Sequence, residues 1–302
     1  MESVTVAVPT ARRPDSLRRL LAALPAALGD VPAEVVVVDN DPRQPVSSVV
    51  AAAPRPVQYV VEPEPGSAHA RNRALALAGT RLLAFLDDDV VPAPGWLPAL
   101  LEGLGTAVAA GGRVVLDPAV ARPRWFDEQG IGGYVSAHDL GTEARPLRDG
   151  EYLLTANCVF VADALRAVGG FDPRLGPRPG VQLVADDVHV VRELMRRGGE
   201  VRYAADAVVV HELPSERLRP AWLLRRAYWQ GRSDWLLDEA DLRRRRAGGA
   251  RVAADWLGHE IAARRAEGLG RSAVRFHLAA DVARTAGALR QALGWRRDRP
   301  QG

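Results

Sequence analysis

The stretch Arg81-Leu82-Leu83-Ala84-Phe85-Leu86-Asp87-Asp88-Asp89 is the one whose reading decides the fold: an apolar run ends abruptly in three adjacent carboxylic acids. A short apolar run bounded by polar residues reads as a buried strand. Three neighbouring carboxylates repel one another unless something positive sits among them. A divalent cation carrying phosphate oxygens is a natural partner, because hard cations take oxygen ligands and bridge to a diphosphate. A solvated acidic loop is the plainer alternative. The place at the end of a buried strand, level with two other polar strand ends, favours the metal.

Upstream, strand and helix signals alternate. Val4 to Val8 is apolar and β-branched, and ends at Pro9-Thr10. Pro14 then stands at a first-turn position, and Leu17, Leu20, Leu21, Leu24 and Leu28 recur at helical spacing. Glu34 to Val38 is nearly all valine and stops at Asp39-Asn40-Asp41-Pro42, a loop signal. Val57 to Val61 predicts a third strand, and Ala68 to Ala78 a helix leading into the opening stretch. This alternation predicts a mostly parallel sheet covered by helices. Ligands bind such sheets beyond the carboxyl ends of the strands, where Thr10, Asp39 and Asp87 all fall.

Downstream the pattern loosens. Gly111 to Leu116 and Leu153 to Val161 read as strands, and Asp117 to Gly150 between them as a substrate-facing loop or an insertion. Asp187 to Arg197 predicts a helix, and Ala207 to Val210 a short strand ending at His211. From Pro220 onward the chain reads as helical. There Val274, Leu278, Val282, Ala286, Leu289 and Leu293 make an apolar stripe with arginines around it.

Composition narrows the chemistry. The chain has 302 residues and a net charge of +3, and all 40 of its basic residues are Arg. Coding bias is the simple explanation, but its consequence is chemical: no lysine Schiff base or P-loop lysine is available. The first strand is not followed by the Gly-x-Gly-x-x-Gly of a dinucleotide site. No apolar run reaches the roughly 18 residues that span a bilayer, and the N-terminus does not read as a signal peptide, so a cytoplasmic location is expected. Cys158, in an apolar stretch, reads as a buried structural thiol.

Three further features carry chemical meaning. Asp186-Asp187 stands before a helix, either as a cap or as a general base for an acceptor hydroxyl. His211, at a strand end, is either a satisfied surface residue or a metal ligand. Gly66-Ser67-Ala68-His69-Ala70-Arg71-Asn72-Arg73 opens a helix, where free backbone N–H groups suit an anion.

Taken in order, Val8-Pro9-Thr10-x-x-Arg13-Pro14, Val36-Val37-Val38-Asp39-Asn40, Pro65-Gly66 with Ala70-Arg71-Asn72, and Phe85-Leu86-Asp87-Asp88-Asp89 resemble a family 2 glycosyltransferase. Gly169-Gly170-Phe171-Asp172, Asp186-Asp187 and Val210-His211 follow in that family's order, so the resemblance runs from about Val4 to His211. It implies an α/β GT-A fold, with a catalytic domain over 1–215 and a helical, Arg-rich extension over 216–302. The implied reaction is inverting transfer from a UDP-, GDP- or dTDP-sugar donor, with Mn or Mg. Pro9, Thr10, Arg13, Asp39, Asn40, Gly66, Arg71, Asn72, Asp87 and Asp88 would bind the nucleotide sugar. Asp89, with His211 and Asp87, would bind the metal. Asp187 would be the base, although Ala185-Asp186 stands where the family has Gly-Glu, which leaves open which of Asp186 and Asp187 faces the acceptor. A sugar nucleotidyltransferase and a non-catalytic nucleotide-sugar-binding module are the rival readings. The acceptor would be a glycan, a lipid-linked intermediate or a small molecule. For the C-terminal helices, packing or dimerisation ranks first, cover over the acceptor second, and peripheral contact with an anionic membrane third. Nucleic-acid binding fits the interleaved arginines less well.

Overall fold

The computed structural model describes residues 3–128, 130–237 and 271–297, with side chains in the last segment described from 276 to 291. Its chain falls into two compact units. The first comprises Met1–Asp117, Ser136–Val181 and Asp186–Glu212; the second comprises Pro118–Val135, Gln182–Ala185 and Leu213–Gly302.

The first unit is a mixed sheet between two layers of helices. Its elements are β1 (Val4–Thr10), α1 (Pro14–Leu28), β2 (Ala33–Asp39), α2 (Ser47–Ala51), β3 (Gln58–Val61), α3 (Ser67–Leu77), β4 (Leu82–Leu86), β5 (Val90–Pro92), α4 (Trp96–Leu104), β6 (Ala109–Leu116), β7 (Arg145–Pro146), β8 (Asn157–Val161), α5 (Ala162–Ala167), α6 (Asp186–Arg196) and β9 (Val201–His211). The strands lie in the order β3-β2-β1-β4-β8-β6-β9-β5, with β7 also on β9. Strands β1 to β4 are parallel; β8 runs antiparallel to both β4 and β6, and β6 is parallel to β9. It follows that β1, β2, β4 and β9 all end at one edge of the sheet.

The alternation of side chains along the strands builds two cores. Val4, Val6 and Val8 of β1, Val35 and Val37 of β2, and Leu82, Ala84 and Leu86 of β4 pack with the leucines of α1 and α4. Ala7, Val36, Val38, Leu83 and Phe85 point the other way, against α3, α5 and α6. Buried on both faces, these strands have no polar side chain to offer except at their ends. Phe85 meets Phe160 and Phe171 edge to face, with centroids 6.2 and 5.5 Å away.

Two sequence expectations change, and a third holds where the residues are described. The strand expected from Leu153 begins at Asn157, because Asn157 N–H turns back onto the Leu154 carbonyl and Leu153 packs over Gly111. Strand β9 begins at Val201, well before Ala207, since β6 and β7 both pair with its first residues. Finally, the helical reading from Pro220 holds for α7 (Pro220–Leu237) and α8 (Arg271–Arg297); the run Arg243-Arg244-Arg245-Arg246 lies outside the described residues.

In the second unit α7 and α8 cross closely. A methyl group on Gly231 would meet the Arg284 carbonyl, and one on Gly287 would meet the Tyr228 carbonyl. This crossing corrects the expected stripe: Val282 is 61% exposed and Leu289 57%, whereas Phe276, His277, Ala280 and Asp281 are buried. Small residues, which let backbones approach, select the packed face, and the larger aliphatic residues are left outside. Val274 and Leu293 lie outside the described side chains. Trp125 stacks on Phe276 at 4.6 Å, and Arg232 lies over the Trp229 ring at 4.5 Å. Among the described residues no helix is long and apolar enough to cross a membrane.

Candidate functional site

The polar strand ends gather at the carboxyl edge of the first unit, but they are handled in different ways. Asp39, closing β2, is fully buried. Its carboxylate accepts from the backbone N–H of Asp41 (3.1 Å), the backbone N–H of Val46 (3.0 Å) and the Tyr59 hydroxyl (2.8 Å). Burial, and then the Asp39 carboxylate, push the Tyr59 phenol up to about 12, so it remains a donor. Asp39 therefore shapes the loop after β2. Within that loop Asp41 is held down to about 2 by hydrogen bonds from Arg43 and Arg12. Arg12 sits at a positive φ of 59°, a conformation rare outside glycine. Asn40 donates to the carbonyls of Glu62 and Glu64 and accepts from Gly66 N–H at 2.6 Å.

The acid run is neutralised from two sides by arginine. Asp88 is buried and accepts from the Thr10 hydroxyl (2.8 Å) and from Arg13 Nη1 (2.7 Å). Arg13 Nη1 also donates to Asp89 Oδ2 at 2.8 Å. Burial pushes Asp88 up to about 6, opposed by Arg13 and reinforced by Asp89. Pro9, the penultimate residue of β1, precedes Thr10. Asp87 turns instead toward Arg71, whose Nη2 donates to Asp87 Oδ1 at 3.0 Å. The other arm of Arg71 donates to Asp186 Oδ2 at 2.7 Å. The positive charge that the acid run demands is thus supplied in part by Arg13 and Arg71.

Helix α3 carries several of these partners at helical spacing. Ser67 and Arg71, four residues apart and so on one face, both reach Asp186. Asn72 clamps the Phe171 backbone, accepting its N–H at 2.8 Å and donating to its carbonyl at 2.7 Å. Gly176 lies against this cluster: a methyl group there would sit 3.1 Å from Asp186 Oδ2 and from Ser67 Oγ. The anion site expected at the start of α3 is reduced, because Gly66 N–H goes to Asn40 and Ser67 N–H to the Pro177 carbonyl.

Asp186 and Asp187 begin α6. Asp186 is 3% exposed and committed to Arg71. Asp187 keeps a solvent-facing edge within dense surroundings, and its Oδ1 accepts the N–H of Val188 at 2.8 Å. Burial, followed by the charge of Asp186, pushes Asp187 up to about 7, with Arg71 pulling the other way. A carboxylate poised there can hold or release a proton near neutral pH.

His211 reaches the site through pairing that the sequence did not display. Residue Val90 pairs with His211 through β5 and β9, and Glu212 N–H donates to the Asp89 carbonyl at 2.9 Å. His211 is buried, with Nε2 3.5 Å from Asp89 Oδ2. Among the described residues, no three His, Cys, Asp or Glu side chains converge into a ready-made metal-binding group. Cys158 is buried and pairs in register with Phe85, and burial raises its thiol well above the usual range, leaving it inert.

The chain is similar to several known proteins. A profile described as Glycosyl transferase family 2 matches residues 5–151. The chain is 31% identical over 242 residues to the pre-mycofactocin glycosyltransferase of Mycobacterium tuberculosis, covering 76% of this chain and 46% of that protein. It is 30% identical over 245 residues to the succinoglycan biosynthesis protein ExoM of Rhizobium meliloti, covering 76% and 73% respectively. The glucosyl-dolichyl phosphate glucuronosyltransferase of Haloferax volcanii shares 29% identity over 177 residues, covering 57% of this chain and 56% of that protein. This chain thus spans about half the length of the first and third of these relatives. Among solved structures, a mannosyltransferase from Pyrobaculum calidifontis in complex with GDP-Man and Mn2+ superposes with a TM-score of 0.60 at 21% identity, covering 96% of this chain and 87% of that one. At that identity the likeness establishes the fold.

Proposed function

Because the chain belongs to glycosyl transferase family 2, we propose that it moves a sugar from a nucleoside-diphosphate sugar to an acceptor hydroxyl by a single inverting displacement. The observation that carries this reading is the meeting of two acidic motifs at one sheet edge, joined by Arg71 between Asp87 and Asp186. Of the two acids on α6, Asp186 is spent on Arg71, and Asp187 is the one with a raised pKa and a solvent-facing edge. Asp187 is therefore the base. It takes the acceptor's proton as the hydroxyl oxygen bonds to the anomeric carbon, while the bond from that carbon to the diphosphate breaks and the nucleoside diphosphate leaves.

The donor set fits a divalent cation. Four carboxylates, Asp87, Asp88, Asp89 and Asp186, share the two guanidiniums of Arg13 and Arg71, which leaves the edge short of positive charge. Asp89 and His211 would hold the ion, with Asp87 beside them and phosphate oxygens completing the set. Mn2+ accompanies the nucleotide sugar in the Pyrobaculum calidifontis structure. When bound, such an ion neutralises the leaving diphosphate. Pro9, Thr10, Arg13, Asp39, Asn40, Gly66 and Asn72 shape the nucleotide side, with Thr10 and Arg13 fixing Asp88.

Calorimetry with UDP, GDP and dTDP, each with and without Mn, tests the reading. One nucleotide is expected to bind in a Mn-dependent way and to raise the thermal midpoint. Asp89→Ala should weaken that binding, whereas Asp187→Asn should not. Unchanged Mn-dependent binding in Asp89→Ala would remove Asp89 from the metal site.

A further inference from the structure

Among the described residues of the first unit, Arg71 is the side chain that hydrogen-bonds to both acidic motifs. It is 7% exposed, and its two Nη atoms donate to carboxylates from different elements, Asp87 after β4 and Asp186 at the head of α6. The guanidinium lies 5.8 Å from the Phe171 ring centroid, and the adjacent Asn72 fixes Phe171 through both of its backbone groups. Ser67 adds a second, longer contact from the same helix to Asp186, at 3.4 Å. The start of α6 is thereby held to the acid run by a planar fork whose two arms are both committed.

We propose that Arg71 is a positioning residue for transfer: by holding Asp186 against the acid run, it sets the place of the neighbouring Asp187 relative to the donor and keeps that base available for the acceptor's proton. This rests on the reading of Asp187 as the base. The groups facing Asp187 are its neighbour Asp186 on α6, Arg71 on α3, Asp87 at the end of β4, and the buried thiol of Cys158 on β8. Only Arg71 among them is positive. Without it Asp186 would be a buried carboxylate with no cation, free to compete for the proton that Asp187 should take.

The test uses the full chain and two readouts. The first is titration of aspartate carboxyl carbons by NMR, with the Asp187 resonance identified by its loss in Asp187→Asn. The second is release of nucleoside diphosphate from whichever sugar nucleotide stabilises the chain with Mn. In wild type the Asp187 signal should titrate near 7. In Arg71→Gln it should move up by about one unit or more, and the acidic limb of the rate profile should move with it. Arg71→Lys retains the charge but has one ammonium for two carboxylates; it should titrate close to wild type while turnover falls roughly tenfold to a hundredfold. A structural role alone would lower the thermal midpoint and leave the titration in place. Wild-type titration in Arg71→Gln overturns the inference. If Arg71→Gln does not fold, wild-type turnover in Arg71→Lys overturns it instead. Full turnover in Asp187→Asn removes the base assignment on which it rests, which separates the two failures.

Discussion

Strands β2 and β4 end at the same edge of one sheet, and each ends in aspartate, yet the two acids have opposite fates. Asp39 is satisfied by neutral donors: two backbone N–H groups of the loop that follows it and a tyrosine hydroxyl on β3. The run after β4 is partnered instead by charged groups, the guanidiniums of Arg13 before α1 and Arg71 on α3. A buried carboxylate closed by neutral donors has no capacity left and serves the loop. Carboxylates closed by a part-exposed guanidinium, as Asp88 and Asp89 are by Arg13, can exchange that partner for a ligand. Charge balanced across elements is thus the mark of the working edge, and the acid itself is not.

The largest expected effect lies on the working side. Asp187→Asn should lower transfer by about a hundred- to ten-thousandfold, with the thermal midpoint held or raised, because the surroundings disfavour the charged carboxylate. Nucleoside diphosphate release and thermal unfolding measure the two quantities. Loss of fold with normal turnover per folded molecule would erase the contrast. On the other side, Asp39→Ala leaves three buried donors unpaired and should cost about 3 kcal/mol or more in urea unfolding. A cost well below 1 kcal/mol would mean that the β2 end is as loosely held as the acid run. The smallest effect should come from Tyr59→Phe, which removes one donor of the three for about 1.5 kcal/mol, without moving the acidic limb of the rate profile. A shifted limb would tie Tyr59 and Asp39 to the chemistry after all.

Much of this edge was legible because strand ends are local events. The valines of β2 and the leucines of β4 announce buried strands, and the acids that follow can only lie at their ends. Partners were another matter. The repulsion within Asp87-Asp88-Asp89 foretold a compensating charge, but spacing alone could not name Arg71 as the residue shared with Asp186, since that pairing depends on where α6 docks. Strand β5 is three residues long and exists only through its pairing with β9. Helix α4 escaped notice because Pro98 and Gly103 interrupt a nine-residue span, and its start is set by Gly95 in the left-handed region. The C-terminal stripe misled for a physical reason: apolar periodicity records which residues could be buried, while the crossing of α7 and α8 was decided by two glycines.

The pairing of Val90 with His211 bears on how the protein is made as well as on how it works. Strand β9 is the last strand of its unit, and both its outer pairing with β5 and the tie from Glu212 to Asp89 close over more than half the length of that unit. Contacts between such distant residues form late, because the entropy of closing the loop must be met before they contribute. A growing chain can therefore assemble β1 to β4 while its acid run still lacks β9. Activity should appear in the final step of folding, after most of the secondary structure is in place, and a stopped-flow experiment following both signals would see them separate in time.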